Sequence, residues 1–127
     1  MILFLCMTKQ VGIIKKKIIS LLNLSTKANT PIFIGDSNIK HIQTKHPYEF
    51  NEYFDKIADI ISYPDYVGIN HHDNSIEYIK QYLINYETIK IAVRVTTGNQ
   101  YYVRTMYKLN EAKVKRCLEN NDFIKVD

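Results

Sequence analysis

The sequence predicts an α+β domain in which N-terminal helices pack on one face of a four-stranded antiparallel sheet, with a short C-terminal helix. Three observations lead to this fold class. Apolar residues between positions 13 and 62 recur mainly at helical spacing, and from position 66 the period changes to two. The strand segments are joined by short polar turns, which makes neighbours in sequence pair as an antiparallel meander.

Length and composition are those of one globular domain. The chain has 127 residues, of which 46% are hydrophobic, and this fraction argues against disorder. Seventeen Lys and Arg residues against thirteen Asp and Glu residues give a formal net charge of +4. A basic excess of this kind favours polyanionic partners, with nucleic acid first among them.

The cysteines and the N-terminus point to a reducing, aqueous compartment. Cys6 and Cys117 form no disulfide scaffold and no ligand cluster, so we expect neither a metal nor a cofactor. The apolar run Met1–Met7 is too short to span a bilayer and lacks the features of a signal peptide. We interpret it as a short strand or a start-site artefact, and we expect a cytoplasmic protein with no membrane partner.

The first half of the chain is mainly helical. Ile13–Leu22 has helical spacing, and the short apolar run Ile32–Ile34 indicates a strand. After a turn at Gly35, the segment Asn38–His46 forms a helix with an apolar side and a His/Lys side. A proline ends that helix and begins a broad amphipathic one over Tyr48–Ser62.

The second half alternates with a period of two. Polar turns at Asn70–Asn74, at Asn85 and at Thr97–Gln100 separate the strand segments. Asn110 is a suitable N-cap for the last helix, and Phe123–Val126 forms a short tail. The strands and the final helix are Tyr66–Ile69, Ile76–Leu83, Ile89–Thr96, Tyr101–Leu109 and Glu111–Glu119. The sheet face without helices is the natural place for a site.

The side chains available for chemistry suit metal-free RNA cleavage. That reaction needs a base for the ribose 2′-OH, an acid for the leaving 5′ oxygen, and cations or hydroxyls around the phosphate. His and Lys can move protons, and Arg can bind two phosphate oxygens at once. The candidates are His41, Lys45 and His46 near one helix end, and Lys80, Lys90, Arg94, Arg104, Thr105 and Tyr107 on strands.

The register of the last hairpin decides which of these candidates share a face. A two-residue turn at Gly98-Asn99 places Lys90 opposite Tyr107, Ala92 opposite Thr105 and Arg94 opposite Val103. Lys90, Arg94, Thr105 and Tyr107 then gather on the polar face. In that register Arg104 lies on the apolar face. A bulge or a three-residue turn would instead unite Arg94 with Arg104. The sequence leaves both registers open.

Five segments in order resemble the phage branch of the Barnase–EndoU–colicin–RelE-like nuclease superfamily. They are PIFIGDSNIKHIQTKHPYEF (31–50), PDYVGI (64–69), SIEYIK (75–80), IAVRV (91–95) and YYVRTMYKLN (101–110). The resemblance implies a nuclease-like core over residues 31–127, preceded by a strand-and-helix extension over residues 1–30. It also implies a metal-independent RNA endonuclease of phage or mobile-element origin, acting as a toxin or a host-directed effector.

The resemblance also implies roles for particular residues. The paired histidines of the family fall on His41 and His46, and either one would move protons. Arg104 and Thr105 would hold the scissile phosphate. The remaining family positions are Lys80, which would assist electrostatically, and Tyr107. We add Lys45 and Arg94 as substrate-binding residues.

The implied partners are RNA, with tRNA among the candidate targets, and an antitoxin or immunity protein. A second hypothesis keeps the same fold but makes the chain a nucleic-acid-binding domain without catalysis, since fold does not dictate function. A third hypothesis is an interaction module that binds a protein through exposed tyrosines. Steeply salt-dependent RNA binding without cleavage would favour the second, and salt-insensitive association without RNA affinity would favour the third.

Overall fold

A mixed sheet of seven strands is the framework of residues 8–96 and 98–127, which the computed structural model describes. The strand order is β1-β2-β6-β5-β4-β3-β7, and every neighbouring pair is antiparallel except β2 with β6. The strands are β1 (Thr8–Ile14), β2 (Thr30–Gly35), β3 (Tyr66–Ile69), β4 (Ile76–Tyr82), β5 (Glu87–Val95), β6 (Tyr101–Leu109) and β7 (Ile124–Lys125). The strand expected at Met1–Met7, with Cys6, and Thr97 of the expected turn lie outside the described residues.

The helices cover both faces of this sheet unequally. They are α1 (Lys16–Leu22), α2 (Asp36–Lys45), α3 (Pro47–Tyr53), α4 (Ile57–Ser62) and α5 (Glu111–Glu119), with a 3-10 turn at Phe54–Lys56. Buried residues of α1 and α4 share the main core with β4 and β5, as Ile18 and Ile60 do with Tyr78 and Ile91. α5 packs on the opposite face, where Val114 joins a smaller core cluster.

The α+β class is confirmed, but the sheet has seven strands instead of the predicted four, and it is mixed instead of antiparallel. The predicted meander exists as β3 to β6, and it is the centre of a seven-stranded mixed sheet. β1 and β2 extend the sheet beyond β6 because β2 pairs in parallel with the start of that strand. β7, in the predicted tail, pairs with β3.

Two predicted helices also differ from the observed ones. Ile13 and Ile14 belong to β1, where Ile14 is fully buried and pairs with Thr30, because a spacing of four from Ile14 to Ile18 does not distinguish a strand end from a helix start. The helix expected over Tyr48–Ser62 is divided by the 3-10 turn. Its apolar stripe continues across the break, so Tyr53 of α3 and Ile57, Ile60 and Ile61 of α4 all reach the core.

A β-bulge in β6 sets the register of the last hairpin. Ala92 pairs with Thr105, whereas Val93 pairs with Val103, which leaves Arg104 as the extra residue. The register predicted for Lys90 with Tyr107 and Ala92 with Thr105 is therefore correct, and the pairing of Arg94 with Val103 is wrong. Beyond the bulge Arg94 pairs with Tyr102 instead.

Candidate active site

Side chains of α2 and β6 come together on the sheet face that also carries α5. Near the start of α2, Asn38 lines a cavity together with Arg94 and Arg104. Just beyond the end of α2, the ring of His46 stacks on that of Tyr107, with 5.3 Å between centroids. Helix and strand therefore run side by side in the same direction. We call the space between them, bounded by these five residues, the α2–β6 groove.

His46 is held by two helices at once. Its backbone N–H donates to the carbonyl of Ile42 in α2, and its carbonyl accepts from the N–H of Phe50 in α3. Its φ of −135° and ψ of 60° are not helical. Pro47 explains this conformation, because a proline disfavours the α region for the residue before it. The local sequence thus turns His46 out of the helix, where its ring meets Tyr107.

A buried ion pair supports Tyr107 from within the sheet. Lys90 pairs with Tyr107 across β5 and β6, and its Nζ lies 4.9 Å from the centre of the Tyr107 ring. The same Nζ donates to Oε2 of Glu77 at 2.8 Å, and both charged residues are less than a tenth exposed. Burial lowers the pKa of Lys90, but its hydrogen bonds to Glu77 and Tyr107 raise it more, so Lys90 stays charged.

The bulge places Arg104 beside Arg94 at the other end of the groove. Both guanidinium groups act on Asp73, whose Oδ2 lies 3.8 Å from Nη1 of Arg94. Burial works to raise the pKa of the Asp73 carboxyl. The hydrogen bond from the backbone N–H of Ser75 and the charges of the two arginines lower that pKa by more than burial raises it. The net shift is therefore downward. The two cations therefore create a favourable position for an anion.

Thr105 lies between the arginines and Tyr107, on the same face. Its Oγ1 is buried and makes no hydrogen bond within the described residues. A buried hydroxyl without a partner costs about 1–3 kcal/mol. Because this oxygen has almost no accessible surface, neighbouring side chains must move before a phosphate oxygen can reach it.

The remaining predicted residues lie at different distances from this groove. His41 is exposed on α2, with its ring 6.1 Å from that of His46 and edge-on to it. Lys45 is exposed at the end of α2. Lys80 pairs with Ile89, which places it on the opposite sheet face, and its Nζ donates to the carbonyl of Tyr63 at 2.7 Å. The structure brings His46 against Tyr107 and His41 near His46, but it places Lys80 on the other side of the sheet.

Sequence reasoning missed Glu77 and Asp73. Glu77 stands between Ile76 and Tyr78, and an acidic residue inside an apolar strand run is a signal of a buried pair. Its partner Lys90 was among the candidates, but only the register shows that the two meet. Asp73 lies in the turn Asn70–Asn74, and nothing local indicates that it reaches Arg94.

In residues 8–96 and 98–127, no three His, Cys, Asp or Glu side chains are grouped so that they could bind a metal ion. Over the same ranges, no helix has both the length and the apolar character needed to cross a bilayer.

Comparison with known proteins gives one result. A family model described as "phage-Barnase-EndoU-ColicinE5/D-RelE like nuclease3" matches residues 9–116. No curated protein and no solved structure matches the chain. The matched segment covers β1 to most of α5 and includes every residue that forms the α2–β6 groove.

Proposed function

The chain belongs to the phage-Barnase-EndoU-ColicinE5/D-RelE like nuclease family 3, and from this premise we propose that it is a metal-independent RNA endonuclease. It cleaves by attack of a ribose 2′-OH on the adjacent phosphorus. The 2′ oxygen forms a bond to phosphorus as the 5′ oxygen leaves. The products are a 2′,3′-cyclic phosphate and a free 5′-OH, and the proton taken from the 2′-OH is balanced by the one given to the 5′ oxygen.

The observation that carries this proposal is the stacking of His46 on Tyr107 in a groove that also holds two arginines. His is the side chain whose ordinary pKa suits proton transfer near neutral pH. Its ring is fixed by Tyr107 and by the α2–α3 junction. His41 is the candidate for the second proton-transfer group, and its ring centroid lies 6.1 Å from that of His46.

The phosphate would bind at the middle of the groove. Arg104 and Thr105 stabilise the charge that develops on the non-bridging oxygens, which is where preorganised donors contribute most to rate. Arg94 and Lys45 bind flanking parts of the RNA. Tyr107 keeps the His46 ring in place, and the Lys90–Glu77 pair supports Tyr107 from below.

The experiment uses purified protein and total bacterial RNA in EDTA, with the variants His46→Ala and Arg104→Ala. We expect discrete fragments ending in 2′,3′-cyclic phosphate from the wild type. His46→Ala should lose about 10²- to 10⁴-fold in rate, the usual contribution of general acid–base catalysis. His71→Ala is the matched control, because His71 is exposed in the turn Asn70–Asn74.

Thermal unfolding of each variant separates loss of function from loss of fold. Full activity in folded His46→Ala and Arg104→Ala would contradict the site. Intact RNA with every variant, together with steeply salt-dependent binding, would favour the nucleic-acid-binding domain without catalysis. A toxin or host-directed role, tRNA as a target, and an antitoxin or immunity protein are further proposals that rest on the family resemblance.

A further inference from the structure

The end of the α2–β6 groove near the start of α2 is a separate cavity. It has a volume of about 510 Å³ and lies beyond the residues assigned to proton transfer. This volume is within the range of roughly 300–1,000 Å³ that small-molecule sites occupy. We call it the Tyr102 cavity, and its lining residues are Asn38, Arg94, Val95, Thr96, Tyr102 and Arg104.

Tyr102 presents a fixed aromatic surface to this cavity. It pairs with Phe33 across the parallel strands β2 and β6, and the two ring centroids are 5.8 Å apart. Its Cε2 lies 3.7 Å from the position that a Cβ would take on Gly35, so the ring also packs against the start of α2. Both rings are only half-buried. A supported but accessible ring of this kind can stack with a base at little cost in side-chain entropy.

The charged side of the same cavity suits a phosphate. Arg94 pairs with Tyr102 in the sheet, so its guanidinium leaves from the same face and from the neighbouring strand. Arg104 is the next lining cation along β6, toward Thr105. Both arginines lower the pKa of Asp73, whose Oδ2 lies 3.8 Å from Nη1 of Arg94, so this side of the cavity attracts anions.

We propose that the Tyr102 cavity binds the nucleotide next to the scissile phosphate in single-stranded RNA. Its base stacks on Tyr102 and its phosphate binds Arg94, while Arg104 remains on the scissile phosphate. This inference deepens the proposed function and rests on it. Because Arg104 is bulged, Tyr102 and Tyr107 lie opposite Arg94 and Lys90, which are four strand residues apart, or roughly 13 Å. This separation leaves room for a neighbouring nucleotide.

The combination of an aromatic ring with a basic groove favours single strands. Aromatic stacking is tolerant of sequence because every base has a π-face, and a duplex keeps its bases stacked on each other. A base lost from one stacking platform weakens binding by about 5- to 150-fold. We therefore expect the cavity to add affinity for single-stranded substrates of sufficient length without strict base preference.

The test measures binding rather than cleavage, so that it does not depend on the reaction. Fluorescent RNA oligonucleotides of two, three and four nucleotides are titrated against the His46→Ala protein. We expect one added nucleotide to raise the affinity about 5- to 150-fold. Adding Tyr102→Leu should abolish that step, and adding Tyr102→Phe should keep it. Tyr63→Leu is the control, because Tyr63 is 65% exposed and lies outside the groove.

Retention of the full length-dependent step in Tyr102→Leu would overturn the inference, as would equal dependence on Tyr102 for an RNA duplex of the same length. A second measurement uses the protein with Tyr102 unchanged, so it tests the inference even if the Tyr102→Leu variant fails to fold. Ring protons of Tyr102 should shift upfield in NMR spectra when the tetranucleotide binds, and unshifted resonances would also overturn it. If the wild type cleaves no RNA but these results hold, the proposed function fails and the binding cavity stands.

Discussion

His46 owes its position to the residue that follows it. Pro47 disfavours the helical conformation at His46 and also begins α3. One dipeptide therefore ends a helix, starts another and turns an imidazole toward the sheet. This local effect is readable in the sequence. That the ring meets Tyr107, 61 residues later, is decided by how α2 lies against β6.

We expect Asp73 to compete with RNA for Arg94, because its Oδ2 lies 3.8 Å from Nη1 of that arginine. The Asp73→Asn variant should bind single-stranded RNA about two- to fivefold more tightly, because an exposed ion pair contributes up to about 1 kcal/mol. Fluorescence anisotropy in the His46→Ala background measures this. Asp55→Asn is the control, since it removes the same charge from the exposed pair with Lys56. Unchanged or weaker binding in Asp73→Asn would show that the carboxylate does not compete.

The family resemblance and the geometry predict different roles for Lys80. The resemblance gives this residue an electrostatic role, whereas its Nζ binds the carbonyl of Tyr63 on the opposite sheet face. We expect Lys80→Ala to keep cleavage within about twofold and to lose about 0.5–1.5 kcal/mol of stability, the usual contribution of one hydrogen bond. Rate assays and denaturant unfolding measure the two effects. A large rate loss with unchanged stability would support the role that the resemblance implies.

At the scale of elements, a carboxylate joins α3 to the sheet. Glu87 at the start of β5 accepts hydrogen bonds from the hydroxyls of Tyr48 and Tyr53, and Lys108 lies 3.5 Å away. Burial works to raise the pKa of Glu87, but these donors lower it below its ordinary value of 4.5. The same carboxylate raises the pKa of Tyr48 to about 12. The network keeps α3, and therefore His46, against the end of β6.

Because of this network, the free energy of unfolding should depend on pH in the acidic range. A lowered folded-state pKa contributes stability that is present above pH 4.5 and lost as the pH falls through the folded value. Glu87→Gln should therefore lower the free energy of unfolding by about 1–3 kcal/mol at pH 7, and by much less at pH 3. Urea unfolding at both pH values measures the difference. Glu119→Gln, exposed at the end of α5, is the control, and an equal loss at both pH values would contradict the assignment.

At the scale of the whole molecule, the groove belongs to no single element. β5 and β6 supply the floor, α2 supplies one wall, and the turn Asn70–Asn74 supplies the anion that the arginines attract. The predicted extension, residues 1–30, contains β1, and the predicted core begins in β2. These two strands pair, so the extension and the core share one sheet. A single domain with one unfolding transition remains our proposal for the chain.

The net charge of +4 predicts binding that weakens with salt. With two or three phosphate contacts, log K should fall with log salt at a slope of about −1.5 to −2, because each contact on a single strand contributes about −0.7. Arg94→Ala should reduce the slope by about 0.7. Lys56→Ala is the charge-matched control and should leave it unchanged, since Lys56 is exposed beside Asp55. A slope near zero would favour a protein partner instead of RNA.

The sequence by itself determined the α+β class, the order of β3 to β6, α5 with its Asn110 cap, and the basic and histidine side chains of the site. These follow from local periodicity, turn chemistry and residue type. It also supported the family, because ordered segments carry that resemblance.

Only the tertiary structure decided which candidates meet. The bulge at Arg104 unites it with Arg94, the pairing of β4 separates Lys80 from Lys90, and the parallel contact of β2 with β6 sets Tyr102 beside Phe33. Long-range pairing depends on backbone hydrogen bonds between distant segments. A shift of one residue moves a side chain to the other face of a sheet, so no local pattern contains this information.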